Sequence, residues 1–154
     1  MKLTPILGAL ALSLGGCTEP PQDCGQLPHH QAQANAGCLV VESGNLLMIQ
    51  QNRGGKWSIP GGTKLPGERA ACTASRETLE ETGVKVSVQR QLKIMDNGFH
   101  LFLCSAEPNW TLEPQDQGEV KQVAWLNKAQ RQSVIWRFPQ QKQSLQSLIE
   151  EYSN

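Results

Sequence analysis

The chain has 154 residues, of which 38% are hydrophobic, and its 14 basic and 14 acidic residues balance to a formal net charge of zero. This length allows one domain with a modest core and leaves little room for a second domain. Because no basic stripe stands out, the composition does not indicate a long nucleic-acid partner, and an anionic substrate must be held by local chemistry.

The N-terminal segment is predicted to lie outside the fold. Lys2 precedes an apolar run, residues 3–14, that is shorter than the roughly 20 residues of a membrane-spanning helix and is typical of a secretory signal. The letters LGGC, which end at Cys17, resemble a bacterial lipobox, where the chain is cut before the cysteine and the cysteine is lipidated. This resemblance implies a signal peptide over residues 1–16 and an exported protein whose acyl groups on Cys17 anchor it to the membrane. The residue after Cys17 is threonine rather than aspartate, which favours an anchor in the outer membrane, facing the periplasm. The alternative to a lipoprotein signal is an ordinary signal peptide.

Residues 17–36 are predicted to form a flexible tether. The segment is rich in Pro, Gln and Ala and has no apolar period, as expected of a linker between a membrane and a folded domain. Its two adjacent histidines, His29 and His30, are expected to be solvated rather than to bind a metal.

The remaining cysteines are Cys24, Cys38, Cys72 and Cys104. An even number of cysteines in an oxidising compartment favours one or two disulfides. Four cysteines allow three pairings, and the sequence does not choose among them. The alternative for Cys38 and Cys104 is that both are small buried residues in strands.

The folded domain is predicted over residues 37–154, with its elements in mixed order. A hairpin is expected from Cys38–Val41 and Leu46–Gln50 around the turn residues Gly44 and Asn45. The pattern then predicts a helix from about Ala70 to Thr82 that stops at Gly83, strands at 84–88, 99–107 and 119–126, and a last helix opening near Pro139 whose core face carries Leu145, Leu148, Ile149 and Tyr152. Because strands and helices do not alternate strictly, the fold class is α+β or mixed α/β, with helices covering a sheet.

The helix predicted at residues 70–82 carries a cluster of like charge. Glu77, Glu80 and Glu81 are three and four residues apart and therefore share a face, whereas Cys72 and Leu79 are expected on the opposite, core-facing side. Such pairs destabilise a bare helix by roughly 0.2–0.5 kcal/mol each, and crowded carboxylates resist joint ionisation. Magnesium or manganese removes both penalties, because hard cations prefer carboxylate oxygens. A solvated acidic face is the alternative, and the glutamates alone do not exclude it.

The spacing around these glutamates resembles the Nudix box. Five residues separate Gly62 from Glu68, and seven separate Glu68 from Arg76. The positions that match the box are Gly62, Glu68, Arg76, Glu77, Glu80, Glu81 and Gly83, followed by the apolar Val84. The departure is Thr78, where the family usually has an aliphatic residue. Together with a similar lead-in at Gly55–Gly62 and a similar late strand at Val123–Leu126, the resemblance covers about residues 37–126.

The Nudix resemblance implies a fold, a reaction and a set of ligands. It implies an α/β/α sandwich with a mixed sheet flanked by helices, and metal-dependent hydrolysis of a pyrophosphate bond in a small nucleotide or other diphosphate. The metal, Mg²⁺ or Mn²⁺, would be held by the Gly61 carbonyl, Glu77, Glu80 and Glu81, with Glu68 as an outer ligand or acting through water. Arg76 would steer Glu77 by a charge-assisted hydrogen bond, or form only an intrahelical ion pair.

The resemblance leaves the general base and the substrate open. Glu77 is one candidate base, and a loop carboxylate between Glu113 and Glu119, for which Glu119 is our choice, is another. Lys56 or Arg53 could hold a phosphate, and Trp57 or Phe99 could stack on a base, although aromatic residues more often belong to the core. A catalytically silent Nudix-shaped nucleotide sensor is the alternative function; the loss of a box glutamate would indicate it, and none is lost.

Overall fold

The computed structural model describes residues 24, 31–115 and 117–153. The predicted signal peptide, Cys17, His29 and His30 lie outside these described residues, and so does Asp116, a further carboxylate between Glu113 and Glu119. The elements are β1 (Ala36–Glu42), β2 (Asn45–Gln51), β3 (Trp57–Ser58), β4 (Gly61–Gly62), α1 (Ala70–Thr82), β5 (Val86–Ile94), β6 (His100–Ala106), β7 (Val120–Leu126), α2 (Lys128–Ser133) and α3 (Pro139–Glu151). Within the described part of the chain, no helix has the length and apolar character needed to cross a bilayer.

The strands form one mixed sheet that lies between helices. Its order is β3-β2-β1-β6-β5, with β4 also paired to β1 and β7 to β2; β1 and β6 are parallel, and the other pairs are antiparallel. Alternate side chains of a strand point to opposite faces. Accordingly, Cys38 and Val40 pack with the alanines of α1, whereas Leu39 packs with Leu145 and Ile149 of α3. The predicted fold class, a mixed sheet flanked by helices, is confirmed.

The first hairpin turns one residue earlier than the sequence predicts. Glu42 pairs with Asn45, so the turn residues are Ser43 and Gly44 rather than Gly44 and Asn45. Both have positive φ angles, 49° and 76°, which is the conformation of the two-residue turns that match the twist of paired strands. Asn45 is the first residue of β2 instead.

Two elements differ from the sequence-based prediction. β5 starts two residues later than expected and extends to Ile94, because its polar second half pairs with β6 at the end of the sheet order. An edge strand with charged or polar residues shows little of the alternation of apolar and polar residues by which strands are predicted. The short helix α2 was not predicted, although Asn127 and Gln130 form a reciprocal capping box at its start.

Helix α1 has the predicted boundaries but a different core face. Gly83 has φ 76° and its N–H donates to the Leu79 carbonyl, so it ends the helix as expected. The prediction that Cys72 and Leu79 face the core is wrong, since both are only half-buried. The buried face consists of small residues that allow close packing on β1, namely Ala70, Ala71, Thr73, Ala74, Ser75, Thr78 and Thr82.

Thr78, the departure from the family pattern, is fully buried on this face, with 0% of its surface exposed. Its hydroxyl donates to the Ala74 carbonyl at 2.7 Å, so the polar atom is satisfied within the helix. A threonine therefore replaces an aliphatic residue here without leaving an unpaired buried hydroxyl.

Two disulfides are present, within the predicted number, and the structure selects one of the three possible pairings. Cys24 is bonded to Cys72 of α1, and Cys38 of β1 to Cys104 of β6. The second bond links two neighbouring parallel strands, which overturns the alternative that these two cysteines are only small buried residues. The first joins Cys24 to helix α1, and β1 already begins at Ala36, inside the segment predicted as a tether.

Removal of the Cys38–Cys104 bond is expected to lower the free energy of unfolding by about 2–4 kcal/mol, because the bond closes a 66-residue separation in the unfolded chain. Chemical denaturation of the Cys38→Ala/Cys104→Ala variant measures the loss. A loss below about 1 kcal/mol would contradict a stabilising role for the bond.

Candidate active site

One cavity collects most of the predicted site residues. It has a volume of about 470 Å³ and lies where α1 faces β4. Its wall includes all three clustered glutamates of the helix together with Gly61 and Glu119, and its other lining residues are Asn35, Ser58, Ile59, Gly62, Thr63, Asn97, Phe99, Arg137, Phe138 and Gln141. The structure therefore brings Glu77, Glu80, Glu81, Gly61 and Glu119 to one place.

Arg76 joins the glutamates into a network. Its Nη1 lies 3.0 Å from Glu77 Oε1 and 2.8 Å from Glu80 Oε2, while its Nη2 donates to the Thr63 carbonyl at 2.9 Å. Its side chain is largely buried, and the hydrogen bond to Glu68 and the surrounding negative charge raise the pKa of its guanidinium despite burial. Arg76 thus contacts Glu77 and also forms the intrahelical pair with Glu80, so the two alternatives for this residue are compatible; its steering of Glu77 stays a prediction.

Glu68 lies behind this network and does not line the cavity. Arg76 Nε and Nη2 donate to its two oxygens at 2.8 and 2.9 Å, and the Leu65 N–H and Thr73 hydroxyl donate to Oε2 at 2.9 and 3.0 Å. Burial alone would raise the pKa of Glu68, but these hydrogen bonds outweigh it and lower the pKa. The geometry is that of a carboxylate that orients Arg76, and its role as an outer metal ligand or through water stays a prediction.

Glu81 is the most deeply buried of the three glutamates, with 6% of its surface exposed. Its Oε2 accepts a hydrogen bond from the Gly61 N–H at 2.7 Å. Burial raises the pKa of Glu81 to about 8; the Gly61 bond opposes this rise, and the charges of Glu77 and Glu119 add to it. A side chain on the helix face predicted to be charged is therefore held in a poorly solvated position.

The approach of β4 to β1 creates this contact. Gly61 has φ 150°, and a Cβ there would lie 2.5 Å from the Gly37 Cα and 2.6 Å from the Ala36 carbonyl oxygen. At Gly62, a Cβ would lie 2.5 Å from the Glu77 carboxylate carbon. Glycines at both positions therefore allow the strand to pass directly beside the carboxylates of α1.

The donor set fits a hard divalent cation. Burial raises the pKa of Glu77 as well, Arg76 offsets part of the rise, and the charges of Glu80 and Glu68 add to it. A buried carboxylate, Glu81, and a half-buried one, Glu77, both with raised pKa values and both lining one cavity, indicate uncompensated negative charge, which magnesium or manganese would relieve. Among residues 24, 31–115 and 117–153, no three His, Cys, Asp or Glu side chains are already gathered into a cation cage.

The other predicted residues divide between the cavity and the rest of the surface. Phe99 lines the cavity, and Arg53 lines an adjoining cavity of about 400 Å³ that shares Glu119 with the first. Trp57 is buried in the core below α3, and Lys56 is exposed in its loop. Glu113 lies by Gly83, at the opposite end of α1 from its start, and lines a different depression.

Among the cavity residues that the sequence analysis did not single out are three near the start of α3, namely Arg137, Phe138 and Gln141. Arg137 and Phe138 immediately precede α3, and Gln141 lies in its first turn, in a segment that was assigned only a core face. Pro139 at the first helical position was the one local signal there, and it marks the helix start rather than the cavity. The hint that these positions line the cavity was the cation Arg137 and the aromatic Phe138 immediately before the helix start.

Comparisons with known protein families, sequences and structures all indicate the same family. A model of the NUDIX domain matches residues 31–146. A MutT-like protein from Streptomyces ambofaciens is 31% identical over 109 residues, or 69% of this chain and 70% of that protein. An ADP-ribose pyrophosphatase from Streptococcus suis superposes with a TM-score of 0.66 at 19% identity, over 79% of this chain and 92% of that one. A UDP-X diphosphatase superposes with a TM-score of 0.64 at 18% identity, over 79% of this chain and 64% of that one.

Proposed function

The chain belongs to the NUDIX family and is a pyrophosphohydrolase of that family, and from this premise we propose that it hydrolyses the pyrophosphate bond of a nucleoside diphosphate linked to another group, with Mg²⁺ or Mn²⁺. The observation that carries the proposal is the cavity on which Glu77, Glu80, Glu81 and Glu119 converge, with the cation Arg137 on the same wall. The substrate class is supported by the structural neighbours described as a UDP-X diphosphatase and an ADP-ribose pyrophosphatase.

The cation would be held by Glu77, Glu80 and Glu81, with the Gly61 carbonyl as a further ligand. When bound, the cation would neutralise the charge of the diphosphate and polarise its phosphorus–oxygen bonds. Arg76 holds Glu77 and Glu80 in place, and Glu68 holds Arg76.

Arg137 is placed to meet the substrate's negative charge, because it lines both the main cavity and the adjoining one. In the reaction, the oxygen of a water molecule bonds to one phosphorus and the bridging phosphorus–oxygen bond breaks. The water's proton passes to a carboxylate, for which Glu77 and Glu119 are the candidates on the cavity wall. The products are a nucleoside monophosphate and the phosphorylated second group.

The proposal is tested by a panel of nucleoside diphosphate-linked compounds incubated with the protein and magnesium, with and without a chelator. Glu80→Gln is expected to lower kcat/KM by at least about tenfold, since Glu80 lies on the cavity wall beside Arg76. Glu113→Gln removes the same charge outside the cavity and serves as the control. Nucleotide binding without turnover of any member of the panel would favour the sensor instead.

Gly62→Ala is expected to lower kcat by about 10–100-fold with little loss of stability. The new Cβ would push the Glu77 carboxylate, which is the mobile end of a side chain, out of its position. The Tm of Gly62→Ala, measured beside kcat, separates displacement of the Glu77 carboxylate from a loss of stability. Equal kcat values for parent and Gly62→Ala protein would contradict a catalytic role for the Glu77 position.

We also propose that the protein is exported and anchored in the bacterial envelope by lipid on Cys17, facing the periplasm from the outer membrane. The two disulfides support this location, because such bonds persist in oxidising compartments. Radiolabelled palmitate is expected to label the parent and not Cys17→Ser. Equal labelling of the two proteins would refute the lipidation site.

A further inference from the structure

A second cavity of about 220 Å³ adjoins the proposed diphosphate cavity. The two cavities share the lining residues Asn97, Phe138 and Gln141, which form the boundary between them. The second cavity has none of the α1 glutamates; its remaining lining residues are Lys93, Met95, Asp96, Gln140 and Ser144. A ligand with its diphosphate at the glutamates can therefore extend past Phe138 and Gln141 into a separate chamber of different chemistry.

Gln141 carries an unpaired buried atom on this shared wall. Only 9% of its surface is exposed, and among the described residues its Oε1 has no hydrogen-bond donor. An unsatisfied buried amide oxygen is unfavourable, and buried polar groups in folded proteins nearly always have a partner. The side chain of Gln141 lines both cavities, and a rotation of its terminal amide about the last side-chain bond would turn this oxygen towards a donor on a bound ligand.

Phe138 presents an aromatic surface at the same place. It is 39% exposed, and it lines both cavities. The guanidinium carbon of Arg137 lies 4.9 Å from its ring centroid, so one face of the ring is already covered by a cation. An exposed aromatic face beside a cation is the kind of platform on which nucleobases stack.

We propose that the second cavity binds the nucleobase of the substrate, which stacks on Phe138 and donates an N–H hydrogen bond to Gln141 Oε1. The diphosphate then extends from the base towards the α1 glutamates, past Arg137. This inference rests on the proposed function, because that function places the diphosphate in the first cavity. It assigns Phe138 and Gln141 as the residues that select substrates with a base over diphosphates without one.

The test measures binding rather than turnover. The four nucleoside 5′-monophosphates and ribose 5-phosphate are titrated into the full chain with magnesium, by calorimetry. At least one nucleotide is expected to bind about tenfold or more tightly than ribose 5-phosphate. Gln141→Leu and Phe138→Leu are each expected to weaken that nucleotide by about tenfold and to leave ribose 5-phosphate unchanged. Phe138→Tyr, which keeps the ring, is expected to retain the parent affinity.

Gln143→Leu is the matched control, since Gln143 is an exposed glutamine on the same helix. The Tm of Gln141→Leu is expected to equal or exceed the parent value, because the substitution removes an unpaired buried oxygen. If it unfolds instead, the exposed Phe138 variants still decide the question. Nucleotide affinities equal to that of ribose 5-phosphate, or insensitive to both variants, would overturn the base site.

The two proposals fail in different ways. Gln141-dependent nucleotide binding with no hydrolysis of any diphosphate would contradict the proposed activity and support the base site. Equally fast hydrolysis of diphosphates with and without a base, unaffected by Gln141→Leu, would contradict the base site and support the activity.

Discussion

Glu81→Gln is expected to lower kcat/KM by about a thousandfold while stabilising the metal-free protein. The loss of activity follows from removing a negative ligand from the cavity wall, where a bound cation supplies several kcal/mol of transition-state stabilisation. The gain in stability follows from burial, which raises the pKa of Glu81 to about 8. The glutamine oxygen can still accept the Gly61 N–H bond.

The sign of the pH dependence follows from this pKa. The folded protein holds the Glu81 proton more tightly than the unfolded chain does, so the stability that this proton contributes is present below the ordinary glutamate pKa. It is lost as the pH rises towards about 8. In the metal-free protein at pH 8, Glu81→Gln is therefore expected to raise the free energy of unfolding by about 1–3 kcal/mol, since one pKa unit corresponds to about 1.4 kcal/mol.

Thermal unfolding in chelator at pH 5 and pH 8 measures this difference. From pH 5 to pH 8, the Tm of the parent is expected to decrease by several degrees more than the Tm of Glu81→Gln. Magnesium is expected to restore the Tm of the parent at pH 8. Glu113→Gln, with an exposed glutamate outside the cavity, controls for the change in net charge. Equal stability of parent and Glu81→Gln at pH 8 would show that Glu81 is not strained by burial.

Arg76→Ala is expected to lower the free energy of unfolding by about 2–4 kcal/mol and kcat/KM by at least about 10–100-fold. The side chain is largely buried and contacts Glu68, Glu77 and Glu80, which would repel one another without it. Breaking a buried charge pair leaves an uncompensated charge, which is far more unfavourable than losing a surface pair. The activity falls because the two cavity carboxylates lose the group that positions them.

Arg76→Lys tests whether charge alone is sufficient. A lysine ammonium cannot reproduce the planar guanidinium that donates through Nε and Nη2 to Glu68 and through Nη1 to Glu80, so most of both losses are expected to remain. Arg90→Ala removes an exposed ion pair with Glu151 and is expected to change stability by less than about 1 kcal/mol. Full activity and stability in Arg76→Lys would contradict the network.

The sequence by itself determined the features that depend on neighbours along the chain. Gly83 could be identified as the end of α1 because a glycine takes the left-handed conformation there, and Pro139 as the start of α3 because its ring suits the first helical turn. The spacing of Glu77, Glu80 and Glu81 likewise placed three carboxylates on one side of a helix. The match of the surrounding residues to a known pattern indicated the family, and the fold class followed.

Only the tertiary structure decided what each of those residues meets. Helical spacing gives a direction but not a neighbour, so it could not show that Glu81 is buried against Gly61 or that Glu68 serves Arg76. The cysteine pairing depended on which strands and helix come within 5.6 and 4.8 Å between Cα atoms. Phe138 and Gln141 reach the cavity because α3 returns to it from far along the chain, and a contact between distant segments leaves no periodic trace in the sequence.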